Sequence, residues 1–493
     1  MQYLNIFDYV IIIAYFAFLL VLGMVLKKMA SASVEDYFLG GRRLPWWALG
    51  ISGMGNFLDV TGTMIITSFL YMLGPRGLFI EFRGGAVLVL AILLLWTGKW
   101  HRRSGCITGA EWMVFRFGDN TGGRLAELIN VASSSLWTVS TLGYLIIGTG
   151  LFFSMYLPLS PLTCSLVIIG ITMTYTMISG FYGVVITDMF QSVLIMVAVI
   201  AVSLLGFFKV EDSASLAAAA SQVTGNSDWI SSIPRWNTHM PKGYEEFQFL
   251  LLFMLFYLIR NIFGGMSAGA DPKYFGARNE RECGILTFFW TWLMTFRWPM
   301  MMGFAVLGIY LVQDLFPNQA VLAQAADLIQ QHTPGVTKAQ WRELISDIIN
   351  NQKDYSSLIS GLQSILGADW SQKLFLVSFE GTVDPERILP AVMLYCIPKG
   401  LRGLMVVAML SALMSSFSPS VNTPTGLLTQ NLYHRYIRPQ AKTKELIYVS
   451  WFFIFLLVCL GFLFAYTLES INDVWEWIVM GLMAGLLVPD VLR

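Results

Sequence analysis

The chain of 493 residues is 56% hydrophobic, 14% aromatic and only 13% charged, with a formal net charge of zero and a mean hydropathy of +0.63. This composition excludes a soluble globular protein, gives no electrostatic footprint for nucleic acid, and describes an all-α polytopic protein embedded in a lipid bilayer. The five cysteines are odd in number and scattered, which reads as free structural thiols and not as a disulfide framework.

At about 20 apolar residues per span, the chain holds about eleven membrane helices. The expected spans cover residues 6–26, 46–71, 79–100, 124–156, 162–178, 187–208, 247–270, 284–312, 401–428, 445–466 and 471–489. The first lacks a basic leader and a small-residue cleavage site, so it is expected to stay in the membrane as a helix. Lys27, Lys28, Arg42, Arg43, Lys99, Arg102, Arg103, Lys273, Arg278, Arg281, Arg435, Arg438, Lys442 and Lys444 all fall on one side of this alternation. That side is expected to be cytoplasmic, with the N-terminus outside. Two long connections, 209–246 and 313–399, fall on the opposite face. The second carries helical periodicity at 320–331 and 340–349, which predicts a small folded cap.

The second span has a flaw in its middle. Residues 50–62, GISGMGNFLDVTG, place four glycines, Asn56 and Asp59 at mid-bilayer depth. Lipid satisfies neither freed backbone groups nor a carboxylate, so this stretch must face protein or a water-filled cavity. The seventh span has a second glycine-rich stretch at 261–269, NIFGGMSAG. Paired interruptions in corresponding positions suggest two inverted five-helix repeats. Glycines that only permit close helix packing are the alternative.

Catalytic and nucleotide-driven chemistries find no support in the chain. The four histidines have no metal-ligand spacing and no phosphate-binding glycine loop ending in Lys-Ser or Lys-Thr is present, so the protein is not expected to be an enzyme. The ninth span is more informative. Ala412, Ser415 and Ser416 share one helix face. Two hydroxyls and a carbonyl there, met by carbonyls of an unwound helix, would give about five hard oxygen donors without a carboxylate, a set suited to a monovalent cation. Serines bonded to their own helix carbonyls are the alternative. Among the intramembrane charges, Asp188 sits at the start of the sixth span, where a carboxylate gains from the helix dipole. Arg260 precedes the second glycine stretch, and Glu81 and Arg83 open the third span. Arg260 either clamps an anionic group of a solute or pairs with Asp59 or Glu81.

Four segments, in order, carry a resemblance: EDYFLGGRRLPWW at 35–47, GVVITDMFQ at 183–191, KYFGARNERE at 273–282 and SALMSSFSPSVN at 411–422. They resemble the signature before the first core helix, the Thr-Asp loop, the basic loop and the serine-rich eighth core helix of the solute:sodium symporter family. The resemblance implies a leucine-transporter-like fold: an N-terminal accessory helix (1–30), one five-helix repeat (46–208), an outer loop (209–246), and a second repeat (247–493) with the cap at 313–399. It also implies a sodium site on the carbonyls of Gly55, Leu58 and Ala412 and the hydroxyls of Ser415 and Ser416. Asp188 matches an aspartate that in some members helps hold a second sodium. Ser418 fits one of the two further hydroxyls used there and Pro419 replaces the other, so one sodium is expected.

For the solute, Asn56, Phe57, Asp59, Thr61, Glu81, Arg83, Arg260 and Phe263 are the candidates. Phe57 and Gly62 stand where galactose-type members carry a sugar-binding asparagine and a glutamine. Phe263 corresponds to the aromatic inner gate. Aligned instead on Asp59-Val60-Thr61-Gly62, the stretch resembles the Asp-x-Ser-Gly of proline symporters, which would make Asp59 an ion-site carboxylate. The resemblance thus implies a symporter in the cell (inner) membrane that uses an inward sodium gradient to import a small polar organic solute by alternating access. An anionic or zwitterionic solute is favoured and a sugar comes second, with no obligatory protein partner. A solute receptor and a sodium-independent uniporter are the rivals.

Overall fold

The computed structural model describes residues 4–30, 34–57, 59–83, 86–267, 271–398 and 400–466. Among them, seven helices are long and apolar enough to cross a membrane, or eight when the bent second span is counted. The eleventh expected span, 471–489, lies outside the described residues.

Helix α1 (Ile6–Ala30) is followed by the two halves of the second span, α2 (Trp46–Phe57) and α3 (Val60–Leu73). The halves meet at 56°, so the flaw read in the sequence is a true break. The third span departs from expectation. A 3-10 stretch, Gly74–Arg83, precedes α4 (Ala86–Ile92), which runs through a π-turn (Leu93–Thr97) into α5 (Gly98–Ser104). The sequence GPRG at 74–77 explains the late start, since Gly and Pro favour turns over a continuing helix.

Helix α6 (Thr121–Phe153) is continuous, whereas α7 (Pro161–Lys209) contains both the fifth and the sixth expected spans. They are separated only by a kink at Gly180, whose φ of 57° lies in the left-handed region that suits glycine. Residues 183–186, expected in the connection before the sixth span, are therefore helical, and Asp188 lies inside a helix and not at its start. Helix α8 (Leu250–Ser267) stays helical across the glycines at 264 and 265. The second interruption expected at 261–269 thus does not occur within 261–267; residues 268–270 lie outside the described residues. A glycine costs only about 1 kcal/mol in a helix, which packing readily offsets.

Helices α9 (Glu280–Met294) and α10 (Arg297–Leu315) together form one span. The cap then folds as α11 (Ala320–His332), α12 (Lys338–Asn350) and α13 (Ser356–Leu366), in agreement with its periodicity. Helices α14 (Arg402–Leu427) and α15 (Thr443–Ala465) complete the described spans.

Burial ranks these helices. The span that includes α14 is 83% buried, against 22% for α1 and 33% for α15. Helix α14 is therefore the central post, packed against α7, α6, α1 and α2, and α1 and α15 offer most of their surface to lipid. The basic loops gather at one end: Arg278 donates to the carbonyl of Arg43, Arg102 to those of Ala277 and Arg278, and Arg103 pairs with Glu280 at 2.6 Å. At the other end Trp229 donates to the carbonyl of Tyr71 at 2.7 Å, and Gln319 to that of Val223 at 2.8 Å. The two long connections thus share the face opposite the basic loops.

Candidate functional site

The site is built where the break between α2 and α3 meets α14. Asp59 is the N-cap of α3: its carboxylate accepts the backbone N–H of Gly62 at 2.5 Å, so the half-helix starts with one of its orphan donors satisfied. The glycines before and after it allow close approach by three neighbours. A Cβ on Gly53 would strike the Trp290 ring, one on Gly55 the Ser415 hydroxyl, and one on Gly62 would lie 2.9 Å from the Tyr144 hydroxyl.

The cation candidates converge. The Ser416 hydroxyl donates to the carbonyl of Gly55 at 3.2 Å, and Ser415 lies against the same glycine. Ala412, one turn earlier on α14, is fully buried. Asp188 of α7 reaches this cluster: its carboxylate accepts a hydrogen bond from Ser52 of α2, and the Ser415 hydroxyl lies near it. The arrangement therefore links α2, α7 and α14 through oxygen atoms, which is what a hard monovalent cation requires. Ser418 faces away from Gly55, bonded to Thr176 at 2.8 Å. Leu58 lies outside the described residues.

The solute candidates converge in part. The half-buried Asp59 accepts a hydrogen bond from Tyr144 of α6 at 3.1 Å, and the opposite charge acting on it is Arg297, buried at the start of α10. Thr61 is fully buried beside Gly148, and among the described residues its hydroxyl has no hydrogen-bond partner. The side chains of Asn56, Phe57, Glu81, Arg83, Arg260 and Phe263 lie outside the described residues.

Sequence reasoning missed four members of the site. Arg297 is the lone charge within the eighth expected span, and the rule applied to Asp59 and Arg260, that an intramembrane charge marks a site, would have found it. Lys273 reads in the sequence as a topology marker and as part of the basic loop, yet it is 1% exposed and its ammonium acts on Asp188. Ser52 and Tyr144 carry no signal of their own, because hydroxyls are frequent in membrane helices.

Residues 37–264 and 378–490 match the family model described as the sodium:solute symporter family. Sodium/glucose cotransporter 4 of Danio rerio is 24% identical over 94% of this chain, and sodium/myo-inositol cotransporter 2 of Oryctolagus cuniculus is 24% identical over 98%. The chain spans 64% of the length of each of these relatives. The sodium/mannose cotransporter of Bos taurus is 24% identical over 99% of this chain and 74% of its own length. Among solved structures, the substrate-bound outward-open state of a Na+-coupled sialic acid symporter superposes with a TM-score of 0.69, covering 99% of this chain and 87% of the other at 17% identity. That likeness establishes a shared fold, the leucine-transporter type.

Proposed function

This chain belongs to the sodium:solute symporter family, and from that premise we propose that it is a sodium-coupled secondary transporter that imports a small polar organic solute by alternating access. The observation that carries the reading is the contact of Ser416 with the Gly55 carbonyl, with Ser415 against the same glycine and Asp188 near Ser415. Sodium held by Gly55, Leu58, Ala412, Ser415 and Ser416 would tie the broken helix to α14, and its loss would free the two to move apart. An ion that binds one state better shifts the equilibrium by its differential affinity alone. Asp188 serves this site from its far side, within reach of the Ser415 hydroxyl.

The solute is read as anionic or zwitterionic. Arg297 and Asp59 present one charge of each sign beside the break, and a guanidinium is a bidentate partner for a carboxylate. A neutral sugar or polyol is the second reading, favoured by the substrates named for the relatives. The protein is placed in the cell membrane with α1 beginning outside, supported by the gathering of basic loops at one end. The cap (313–399) then lies outside, and 46–208 and 247–493 form the two inverted repeats. Uptake of a panel of amino acids, sugar acids, polyols and hexoses into proteoliposomes, with and without an inward sodium gradient, tests the reading. Sodium-driven accumulation of one class supports it; uptake indifferent to sodium refutes coupling.

A further inference from the structure

The N-terminal helix α1 lies outside the ten-helix core that the proposed repeats would supply, and most of its surface faces lipid. Its few inward-facing polar side chains are aimed at the ion-site helices. Asn5 and Asp8 cap one another at the start of α1, through Asn5 N to Asp8 Oδ2 at 3.0 Å and Asp8 N to Asn5 Oδ1 at 2.8 Å. The other Asp8 oxygen accepts the backbone N–H of Gly403 at 2.7 Å, in the first turn of α14. The two helices thus start at the same height and run side by side. At about 1.5 Å per residue, Tyr15 on one and Ser411 on the other come level one step deeper.

There the Tyr15 hydroxyl is saturated. It accepts from Gln191 Nε2 at 2.9 Å and from Ser411 Oγ at 3.0 Å, and donates to the Met414 sulfur at 3.6 Å. All four residues are buried. Gln191 lies three residues after Asp188 on α7, and Ser411 lies four residues before Ser415 on α14, so each shares a helix face with the ion-site residue next to it. Tyr15 is itself within electrostatic reach of Asp188. A single phenol oxygen therefore joins the helix that carries Asp188 to the helix that carries Ser415 and Ser416, one turn from the place where those residues meet.

We propose that Tyr15 is a positioning residue for the cation site: it sets the separation and rotation of α7 against α14, so that Asp188 and Ser415 stay in register. The accessory helix is by this account part of the sodium machinery and not a lipid-facing appendage. The inference rests on the sodium reading given above. Loss of one neutral hydrogen bond to such a frame lowers sodium affinity by about 2- to 10-fold, without removing any oxygen donor from the ion.

The test is 22Na+ binding to the purified full chain in detergent micelles, titrated against unlabelled sodium chloride with choline chloride holding ionic strength. Tyr15→Phe keeps the ring and removes the oxygen; Ser411→Ala removes one bond from the other side. Each is expected to weaken sodium binding about 2- to 10-fold with unchanged maximal binding, and the double variant is expected to be no weaker than the worse single, since both break the same link. A purely structural role would lower the amount of binding-competent protein and leave the affinity of that fraction as in the wild type. Wild-type affinity in both single variants, or full additivity in the double, overturns the proposal. Absence of saturable 22Na+ binding in the wild type overturns the sodium reading and this inference together. Should Tyr15→Phe fail to fold, the affinity of Ser411→Ala decides alone.

Discussion

The hydroxyl of Ser416 donates to the carbonyl oxygen of Gly55 at 3.2 Å, across 361 residues of sequence. That bond spans the two helices whose separation would define opening, and it leaves the Gly55 carbonyl and the Ser416 oxygen close enough to share a cation. Ser416→Ala removes one donor and is expected to weaken sodium activation of uptake at least 10-fold, about 1.4 kcal/mol, with expression intact. Gly55→Ala is expected to be worse, because its methyl group would overlap the Ser415 hydroxyl. A sodium-activation curve for each variant in proteoliposomes is the check.

Asp188 and Lys273 are opposite charges, each 1% exposed, and the Lys273 ammonium acts on the Asp188 carboxylate. Breaking such a pair from one side leaves an uncompensated charge, at a cost of roughly 3–5 kcal/mol, whereas removing both members is far milder. Lys273 has a second carboxylate, Asp271, 3.6 Å from its ammonium, so the lower end of that range applies to Asp188→Asn. The double variant Asp188→Asn with Lys273→Met should recover thermal stability relative to either single while sodium binding stays weak. Additive losses in the thermal midpoints would show that the two charges do not act on one another.

Asp59 has two roles that substitution separates. Asparagine caps a helix about as well as aspartate, while alanine costs about 0.5–2 kcal/mol. Asp59→Asn is therefore expected to keep the half-helix α3 and lose the charge opposite Arg297; Asp59→Ala loses both. The prediction is near-native thermal stability with a raised solute KM for the first, and a lower midpoint as well for the second. Equal stability of the two variants would contradict the capping role.

In the cap, Arg342 pairs with Glu386 at 2.7 Å and Asp384 at 3.2 Å, and Arg387 lies 3.7 Å from Asp384. Burial works against the Arg342 charge, but the two carboxylates outweigh it and hold the guanidinium above its ordinary pKa. Burial wins at Arg387, which is pulled down to about 10. Arg342→Met strands the buried Glu386 carboxylate and leaves Asp384 with Arg387 alone, and it is expected to destabilise the cap by about 3 kcal/mol. Hydrogen exchange should rise across 338–387, with sodium affinity unchanged, because no cap residue touches Gly55, Ser415 or Ser416 among the described contacts. A variant that exchanges like the wild type would remove the network from the account of the cap.

The parts of this molecule legible in the sequence were those with a local physical signature. The break at 50–62 was visible because glycines and a carboxylate cannot sit in lipid unaided, and the cap helices because their apolar residues recur at helical spacing. Ser415 and Ser416 stand out by their spacing on one face together with the family resemblance, and Ser416 does meet the Gly55 carbonyl. What was missed depends on which helices meet. Arg297 faces Asp59 only because α10 packs beside the break, and Lys273 turns inward only because α9 and Trp290 cover it. The connection expected through 186 failed for a related reason: one left-handed glycine at 180 suffices to turn the chain, so the helix resumes at once. Tyr15 carries no local signature that separates it from the other residues of its apolar helix.

The central claim is that sodium binds where the broken helix meets α14, and thermal unfolding of the purified protein tests it without knowledge of the solute. A ligand that binds only the folded state raises the midpoint in proportion to the logarithm of its concentration above its Kd. The account predicts that sodium chloride raises the midpoint over equal concentrations of potassium or choline chloride, and that the difference vanishes in the Ser415→Ala, Ser416→Ala double variant. Equal midpoints in the three salts, or a sodium-specific rise that survives in the double variant, would contradict it.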